Sequence, residues 1–187
     1  GHLSSHKTLG RVAALEAVQL ATPLSGGTGI AHTRWATHGA PSVANAHPHV
    51  IHDRIAVVHN GIIENHELFR SALAAQGCQF ASETDTEEVA HLIALAIEEG
   101  GHDLLAAVQQ VLPKLQGAYA LAVIDRESPH QLVVARQGSP LVLGVGLGEY
   151  FAGSDTLALQ SVTDTFIYLE EGDVAQLTAD GYAIFNV

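Results

Sequence analysis

RIAVVHNG, residues 54–61, is the stretch that decides the fold, because an apolar run there ends abruptly at a polar pair. The run at 55–58 is short and continuous, which predicts a buried β-strand. Asn60 and Gly61 follow it, and this pair suits a tight turn with positive φ. Mostly helical patterns separate this strand from residue 117, so the strand is expected to support a helical layer.

Three helical patterns follow this strand, at 65–77, 82–101 and 102–117. Asn65 is expected to cap the first helix, and Asp103 lies near the start of the third. Acidic residues crowd the first turn of the second helix, where the helix dipole favours them. Pro113 predicts a kink or an irregular last turn in the third.

The segments on either side complete the pattern. Residues 10–20 have helical spacing, 28–35 and 78–81 predict strands, and 36–49 predict a polar loop. From 117 onward, short apolar runs alternate with turn signals. Strands, then helices, then strands again indicate an α+β domain of antiparallel sheets with helices on their faces. No repeat or linker divides the chain, so one domain is expected.

The composition excludes several classes of protein. The chain has 187 residues, is 47% hydrophobic and carries a net charge of −12 with no cluster of bases. Binding to nucleic acid or to an anionic membrane surface is therefore not expected. No apolar run approaches the length of a membrane span, and the start lacks the apolar core of a signal peptide. A single cysteine favours a reducing compartment, so a cytoplasmic protein is predicted.

Four polar clusters interrupt the predicted elements, at 32–39, 45–49, 59–65 and 82–87. Arg34 ends a predicted buried strand, where an unpaired charge is costly, so it requires an anionic partner. Its planar fork suits a carboxylate held through two hydrogen bonds. The partner is either an internal acid, for which Asp85 is a candidate, or a ligand. If Asp85 instead holds an ammonium group, the ligand is an α-amino acid.

Asn60 and Gly61 also have two interpretations. A strand that runs into Asn-Gly can present a side-chain amide and a backbone N–H in one direction, which makes an oxyanion hole with two donors. Asn-Gly is nevertheless more often a simple turn.

Histidine and cysteine are two further residue types that can act as reactive groups. The 12 histidines include His47 and His49 on either side of a proline, but no H-E-x-x-H motif or acid at ligand spacing accompanies them. No metal site is therefore predicted. Cys78 has no histidine nearby in the sequence and is interpreted as a small core hydrophobe rather than a nucleophile.

Several motifs, in order and spacing, resemble one family over nearly the whole chain. They are GGTGIAHTRWATHG at 26–39, NAHPH at 45–49, VVHNGIIENHE at 57–67 and SETDTE at 82–87. They resemble the glutaminase domains of glucosamine-6-phosphate synthases, within the class II, N-terminal-nucleophile glutamine amidotransferases. The later stretches GAYALAVID, ARQGSPLVLGVG, FAGSD and LEEGD resemble that family too.

The resemblance implies a binding site for glutamine. In the family, the residue that matches Arg34 binds the α-carboxylate of glutamine, and the one that matches Asp85 binds its α-ammonium group. Residues matching Thr37 and His38 line the same pocket. The residue matching Trp35 gates the passage of ammonia toward a second active site.

The resemblance also implies the catalytic groups, with one departure. The residues that match Asn60 and Gly61 form the oxyanion hole. The family nucleophile is an N-terminal cysteine whose own α-amine serves as the base, and this chain has no such cysteine. Its start, GHLSSHKTLGRV, resembles the family segment a few dozen residues further on.

The fold implied by the resemblance is a four-layer α/β/β/α sandwich of antiparallel sheets, of the N-terminal-nucleophile hydrolase type. Residues 1–187 are expected to be the glutaminase domain, truncated at the N-terminus so that its first strand is missing, and without the sugar-isomerase domains. A missing central strand exposes ladder edges, so a homodimer is expected.

The implied function is hydrolysis of L-glutamine, with ammonia passed to fructose 6-phosphate to make glucosamine 6-phosphate. No cofactor is implied. The 187-residue chain itself is expected to be inactive for lack of the cysteine. The alternatives are a non-catalytic module that binds glutamine or glutamate, and a metal-dependent hydrolase.

Overall fold

The computed structural model describes residues 1–35 and 39–187. Its helices are α1 (Val12–Ala21), α2 (His66–Ala75), α3 (Asp85–Gly100) and α4 (Leu104–Val111), with short 3₁₀ turns at Leu112–Lys114 and Thr156–Ala158. Its strands are β1 (His49–Ile51), β2 (Ile55–Ile63), β3 (Gly117–Asp125), β4 (Leu132–Gln137), β5 (Val142–Val145), β6 (Tyr150–Gly153), β7 (Thr165–Tyr168), β8 (Asp173–Thr178) and β9 (Gly181–Asn186).

In the described part of the chain the strands form two sheets, and all the ladders between named strands are antiparallel. The larger sheet has six strands in the order β1-β2-β3-β4-β8-β9, and the smaller one has the order β6-β5-β7. The long β2–β3 ladder runs from Ile55, opposite Asp125, to Ile63, opposite Gly117. The α+β fold with antiparallel sheets, predicted from the sequence, is confirmed.

Both faces of the larger sheet are covered, which explains why its strands are apolar without alternation. On one face, Val57, Leu121 and Val133 pack with α3 and α4. On the other face, Ala120 and Val134 pack against residues of the smaller sheet. Helices, large sheet and small sheet therefore form successive layers, and the end of β2 lies at the edge of the packed core.

Two predicted strands are wrong. Residues 28–35 and 78–81 are not β-structure, whereas β1 lies at the end of the segment predicted as a polar loop. The first segment forms no ladder with β2. On that edge β1 pairs only with residues 55–57, and further along the His59 and Ile63 N–H groups donate to the side chains of His47 and Asp85. In the second, backbone groups bond elsewhere, since the Ala81 N–H donates to Glu87 and the Gln79 carbonyl contacts the His91 ring.

The helix ends follow the predicted signals in part. Asp103 caps α4 by accepting a hydrogen bond from the Ala106 N–H, and Gly101 ends α3 in the left-handed conformation. Pro113 lies in the irregular last turn, as predicted. Asn65 occupies the N-cap position of α2, but its side chain does not cap the helix. It bonds to the backbone of Lys114 and Gln116, where it joins α2 to the start of β3.

The acidic first turn of α3 is buried rather than solvated. Glu87 accepts hydrogen bonds from the backbone N–H groups of Ala81 and Ser82. Glu88 is fully buried, and its Oε1 lies 2.5 Å from Nε of Arg70 on α2. Burial raises the pKa of the Glu88 carboxyl, against the opposing effect of the Arg70 guanidinium. This ion pair therefore connects α2 to α3.

Replacing Arg70 by methionine is expected to destabilise the domain by about 2 kcal/mol near neutral pH, because a buried carboxylate loses its partner. Removing one partner of a buried ion pair commonly costs about 3–5 kcal/mol. A smaller loss is expected here because the Arg70 side chain is 33% exposed and water reaches it. The pKa of Glu88 is raised in the folded state above its ordinary value of 4.5. The protonated carboxyl therefore contributes its full stabilisation below pH 4.5, and this contribution is lost as the pH rises through the pKa of the folded state. Urea unfolding should therefore show a smaller penalty at pH 5 than at pH 7.5.

The control is the double variant Arg70→Met/Glu88→Gln, which removes the charge together with its partner. It should recover most of the lost stability and show no such pH dependence. An equal penalty at both pH values, or no recovery in the double variant, would contradict the assignment.

Within the described ranges, no helix has the length and apolar character needed to cross a membrane.

Candidate functional site

The polar residues at the end of β2 do not form a hairpin turn. The strand continues through Asn60 and Gly61 to Ile63, with Asn60 opposite Ala120 and Gly61 opposite Tyr119. Both residues are exposed at this point of the sheet. The interpretation of Asn-Gly as a simple turn is therefore wrong, and the pair lies at an accessible end of a rigid ladder.

Gly61 has a conformation that an L-residue rarely adopts. Its φ is 129°, and a Cβ built there would overlap the carbonyl oxygen of Ala118 and lie 3.0 Å from Oγ of Ser139. Strands β2 and β3 can approach this closely only because residue 61 has no side chain.

Asp85, the first residue of α3, is joined directly to the same strand. Its side chain is buried, and Oδ2 accepts a hydrogen bond of 2.8 Å from the Ile63 N–H. The same oxygen lies 3.8 Å from Nδ1 of His59. The N-terminus of α3 is thus fixed against the end of β2, two residues beyond Gly61.

Arg34 is connected to this region through the loop that follows it. Its Nη2 donates to the Gly39 carbonyl at 3.1 Å and its Nη1 to the Ala40 carbonyl at 3.4 Å. Asn45, which is buried, also donates to the Ala40 carbonyl, and its Oδ1 accepts from the Glu83 N–H. The guanidinium is therefore held by a loop that is attached just ahead of α3.

His32 brings the segment before Arg34 to the end of β2. Its Nε2 lies 2.8 Å from Oδ1 of Asn60, a contact between residues 28 positions apart. The His32 ring also packs on that of His47, with centroids 4.2 Å apart. Contacts therefore join the segments around Arg34, Asn60 and Asp85 to the end of β2 and the start of α3.

A network of histidine and threonine side chains underlies this place, and sequence reasoning missed it. Oγ1 of Thr86 contacts Nδ1 of His59 at 3.0 Å and Nε2 of His47 at 3.2 Å. Oγ1 of Thr84 contacts Nε2 of His49 at 2.8 Å. The sequence shows the H-x-H motif at 47–49 and the T-D-T motif at 84–86, but it does not predict that the two motifs contact each other.

The buried rings of this network remain neutral at ordinary pH. Burial, with neighbouring histidines and Arg34, lowers the pKa of His47 to about 2. Burial also lowers the pKa of His49 to about 4. His47 accepts from the His59 N–H through Nδ1, so its Nε2 carries the proton and donates to Thr86. These histidines bond to protein groups. Throughout the part of the chain described, no group of three or more His, Cys, Asp and Glu is placed to hold a metal.

The sequence also singled out Trp35, Thr37, His38 and Cys78. The Trp35 side chain is 91% exposed. Thr37 and His38 lie outside the described residues. Cys78 is a free cysteine, half-buried, and its backbone N–H donates to the Leu73 carbonyl after the end of α2.

A family model and full-length relatives match the sequence of this chain. A family model described as "Glutamine amidotransferase domain" matches residues 32–161. The chain is 55% identical over 186 residues to "Glutamine--fructose-6-phosphate aminotransferase [isomerizing]" of Yersinia pseudotuberculosis, covering 100% of this chain and 30% of that protein. The protein of the same name from Pseudomonas aeruginosa is 53% identical over 187 residues, again with 30% of its length covered. The chain thus spans about a third of the length of these relatives.

Solved structures share the fold. Glutamine phosphoribosylpyrophosphate amidotransferase from B. subtilis, complexed with ADP and GMP, superposes with a TM-score of 0.68 at 26% identity, over 83% of this chain and 34% of that chain. A structure described as the allosteric regulatory enzyme of purine biosynthesis gives a TM-score of 0.70 at 27% identity, with the same coverage.

Proposed function

Because the chain belongs to the glutamine amidotransferase domain family, we propose that it is the glutamine-hydrolysing domain of an enzyme that makes glucosamine 6-phosphate. The observation that carries this proposal is 55% identity, over the full chain, to a glutamine–fructose-6-phosphate aminotransferase. Ammonia released from glutamine would pass to fructose 6-phosphate in the remainder of such an enzyme. The reaction would take place in the cytoplasm.

The proposed chemistry uses the residues around the end of β2. The Arg34 fork would bind the α-carboxylate of glutamine and Asp85 its α-ammonium group, with Thr37 and His38 lining the pocket. The thiolate of a cysteine N-terminal to this chain would attack the side-chain amide carbon. The Asn60 amide and the Gly61 N–H would stabilise the oxyanion that forms.

Collapse of that intermediate breaks the carbon–nitrogen bond, and the nitrogen leaves as ammonia after taking up a proton. Water then hydrolyses the thioester, which gives glutamate and regenerates the thiol. The exposed Trp35 side chain is available to close the path along which ammonia leaves the site.

The experiment that tests this proposal uses a chimera. The residues that precede the matching region in the Yersinia pseudotuberculosis relative are joined ahead of Gly1, and the added segment begins with the cysteine that the family resemblance implies as the nucleophile. The chimera should convert glutamine to equal amounts of glutamate and ammonia. If it binds glutamine by calorimetry but releases no ammonia, the chain is a binding module and the proposed catalytic function is wrong.

In the same chimera, Arg34→Lys is expected to raise KM for glutamine with a smaller effect on kcat. Lysine keeps the charge but not the planar fork, so one of two hydrogen bonds to the carboxylate is lost. The expected cost is roughly 1–3 kcal/mol, or about 5- to 150-fold in KM. Steady-state kinetics with glutamine measure this change.

Arg54→Lys is the matched control, because Arg54 binds Asp125 at the other end of β2. It should leave KM for glutamine unchanged. A change in KM of the same size in both variants would show that Arg34 acts on folding rather than on the substrate.

We also propose that residues 1–187 act as one domain and that the chain forms a homodimer. The edge strand β9 supports this, since Tyr182, Ile184 and Phe185 expose part of their apolar side chains beside unpaired backbone groups. Light scattering of the chimera measures the mass, and a monomer at high concentration would contradict the dimer.

A further inference from the structure

His32 lies beside the candidate oxyanion hole. Its Nε2 lies 2.8 Å from the side-chain oxygen of Asn60. Asn60 is otherwise exposed at the end of β2, and an amide on a free side chain rotates readily. The contact with His32 therefore determines which end of the amide faces the site.

The His32 ring is itself held in place. It packs on the His47 ring at a centroid distance of 4.2 Å and an angle of 38° between the ring planes. His47 is anchored on both ring nitrogens, by the His59 N–H at 3.4 Å and by Oγ1 of Thr86 at 3.2 Å. A rigid support thus runs from the start of α3, through His47, to His32.

The hydrogen-bond partner determines the tautomer of His32. The Asn60 oxygen can only accept, so Nε2 of His32 must carry the proton. The other ring nitrogen, Nδ1, is buried and makes no hydrogen bond of ordinary geometry among residues 1–35 and 39–187, although the His59 backbone lies close to the ring. A proton on Nδ1 would leave a buried donor unsatisfied, which is costly. Burial also lowers the pKa of the His32 ring, and a neutral ring carries only one proton.

We propose that His32 is a positioning residue, which donates from Nε2 to Oδ1 of Asn60 and so turns the amide N–H₂ group toward the oxyanion. This inference rests on the proposed glutaminase function. If the amide were reversed, its carbonyl oxygen would face the developing negative charge and repel it. In this proposal the effect of His32 is exerted through Asn60.

Two substitutions of His32 in the chimera separate this role from packing. His32→Phe keeps a planar ring but has no donor, and it should lower kcat by roughly 10- to 100-fold with KM for glutamine changed less than about twofold. His32→Gln retains an amide N–H near the position of Nε2 and should recover most of the loss. His130→Phe, a change at an exposed histidine, is the matched control and should have no effect.

A double-mutant cycle tests whether His32 acts through Asn60. Asn60→Ala alone should lower kcat by about 10²- to 10³-fold. Adding His32→Phe to Asn60→Ala should cause no further loss. Full additivity of the two effects, or a rise in KM as the main effect of His32→Phe, would overturn the proposal while leaving the glutaminase function standing.

A measurement that does not depend on activity completes the test. Long-range ¹H–¹⁵N spectra of the ¹⁵N-histidine-labelled chimera should show His32 as the neutral tautomer with the proton on Nε2. Assignment comes from loss of its signals in His32→Gln. A proton on Nδ1, or a doubly protonated ring at pH 7, would overturn the positioning role. If the chimera hydrolyses no glutamine, the proposed function fails, and these spectra still decide the His32–Asn60 contact.

Discussion

The 187-residue polypeptide by itself is expected to release ammonia from glutamine at least about 10⁴-fold more slowly than the chimera with the N-terminal cysteine. The thioester needs a thiolate and a base, and neither the donors at Asn60 and Gly61 nor the Arg34 fork supplies them. Donors alone leave only a small residual acceleration over the reaction in water. Ammonia release under saturating glutamine, compared at equal protein concentration, measures the difference.

Three controls separate chemistry from folding in this comparison. Replacing the chimera's N-terminal cysteine by alanine keeps its added segment but should abolish turnover equally. Cys78→Ser in the chimera should leave activity nearly intact, because Cys78 lies beyond the end of α2 as a half-buried free thiol. Turnover by the 187-residue polypeptide at a rate near that of the chimera would overturn the assignment of the nucleophile. Loss of activity in folded Cys78→Ser would overturn it as well.

Gly61→Ala is expected to destabilise the domain by about 4 kcal/mol and to abolish measurable hydrolysis in the chimera. An alanine at a φ of 129° is strained, and its Cβ would overlap the Ala118 carbonyl oxygen. Backbone strain of this kind costs about 1–3 kcal/mol, and forcing apart two packed strands costs a similar amount again. The midpoint of thermal unfolding should fall by about 8–16 °C, as measured by circular dichroism.

The matched control for this change is Gly181→Ala at the start of β9. Among the described residues, none has a heavy atom within 4 Å of a Cβ placed there, and the backbone is not in the left-handed region. Its stability and activity should match those of the parent. A folded Gly61→Ala protein with parental stability and turnover would show that neither the close approach of β2 and β3 nor the site depends on this glycine.

The sequence by itself determined the fold class and the family. The apolar run at 55–58 is a strand because both of its faces are covered, and a continuous apolar run is the pattern that such burial requires. Helix α3 begins at Asp85 and α4 directly after its cap Asp103, and a glycine or proline follows each of them, so their limits depend on local chemistry. Motifs around Arg34, Asn60 and Asp85 were enough to indicate the family, which the comparisons confirm.

Strand identity was decided only by the tertiary structure. Residues 28–35 have the composition of a strand, yet they form no ladder, because beyond residue 57 the N–H groups on the outer edge of β2 donate to the His47 and Asp85 side chains. Asn60 and Gly61 have the composition of a turn, yet the ladder with β3 continues through them because Ala118 packs closely against a residue without a side chain. Local propensity could not predict either outcome, since both depend on which backbone edge is already occupied.

The supporting contacts of the candidate site were also decided by the tertiary structure. His32 contacts a residue 28 positions away, and Thr86 contacts a histidine 39 positions away. The helix dipole explains why the first turn of α3, which includes Asp85, is acidic. It does not specify that the Asp85 carboxylate accepts a hydrogen bond from the Ile63 N–H. Sequence motifs identify which residue types are present, whereas the direction of each donor depends on neighbours that only packing brings within 3 Å or so.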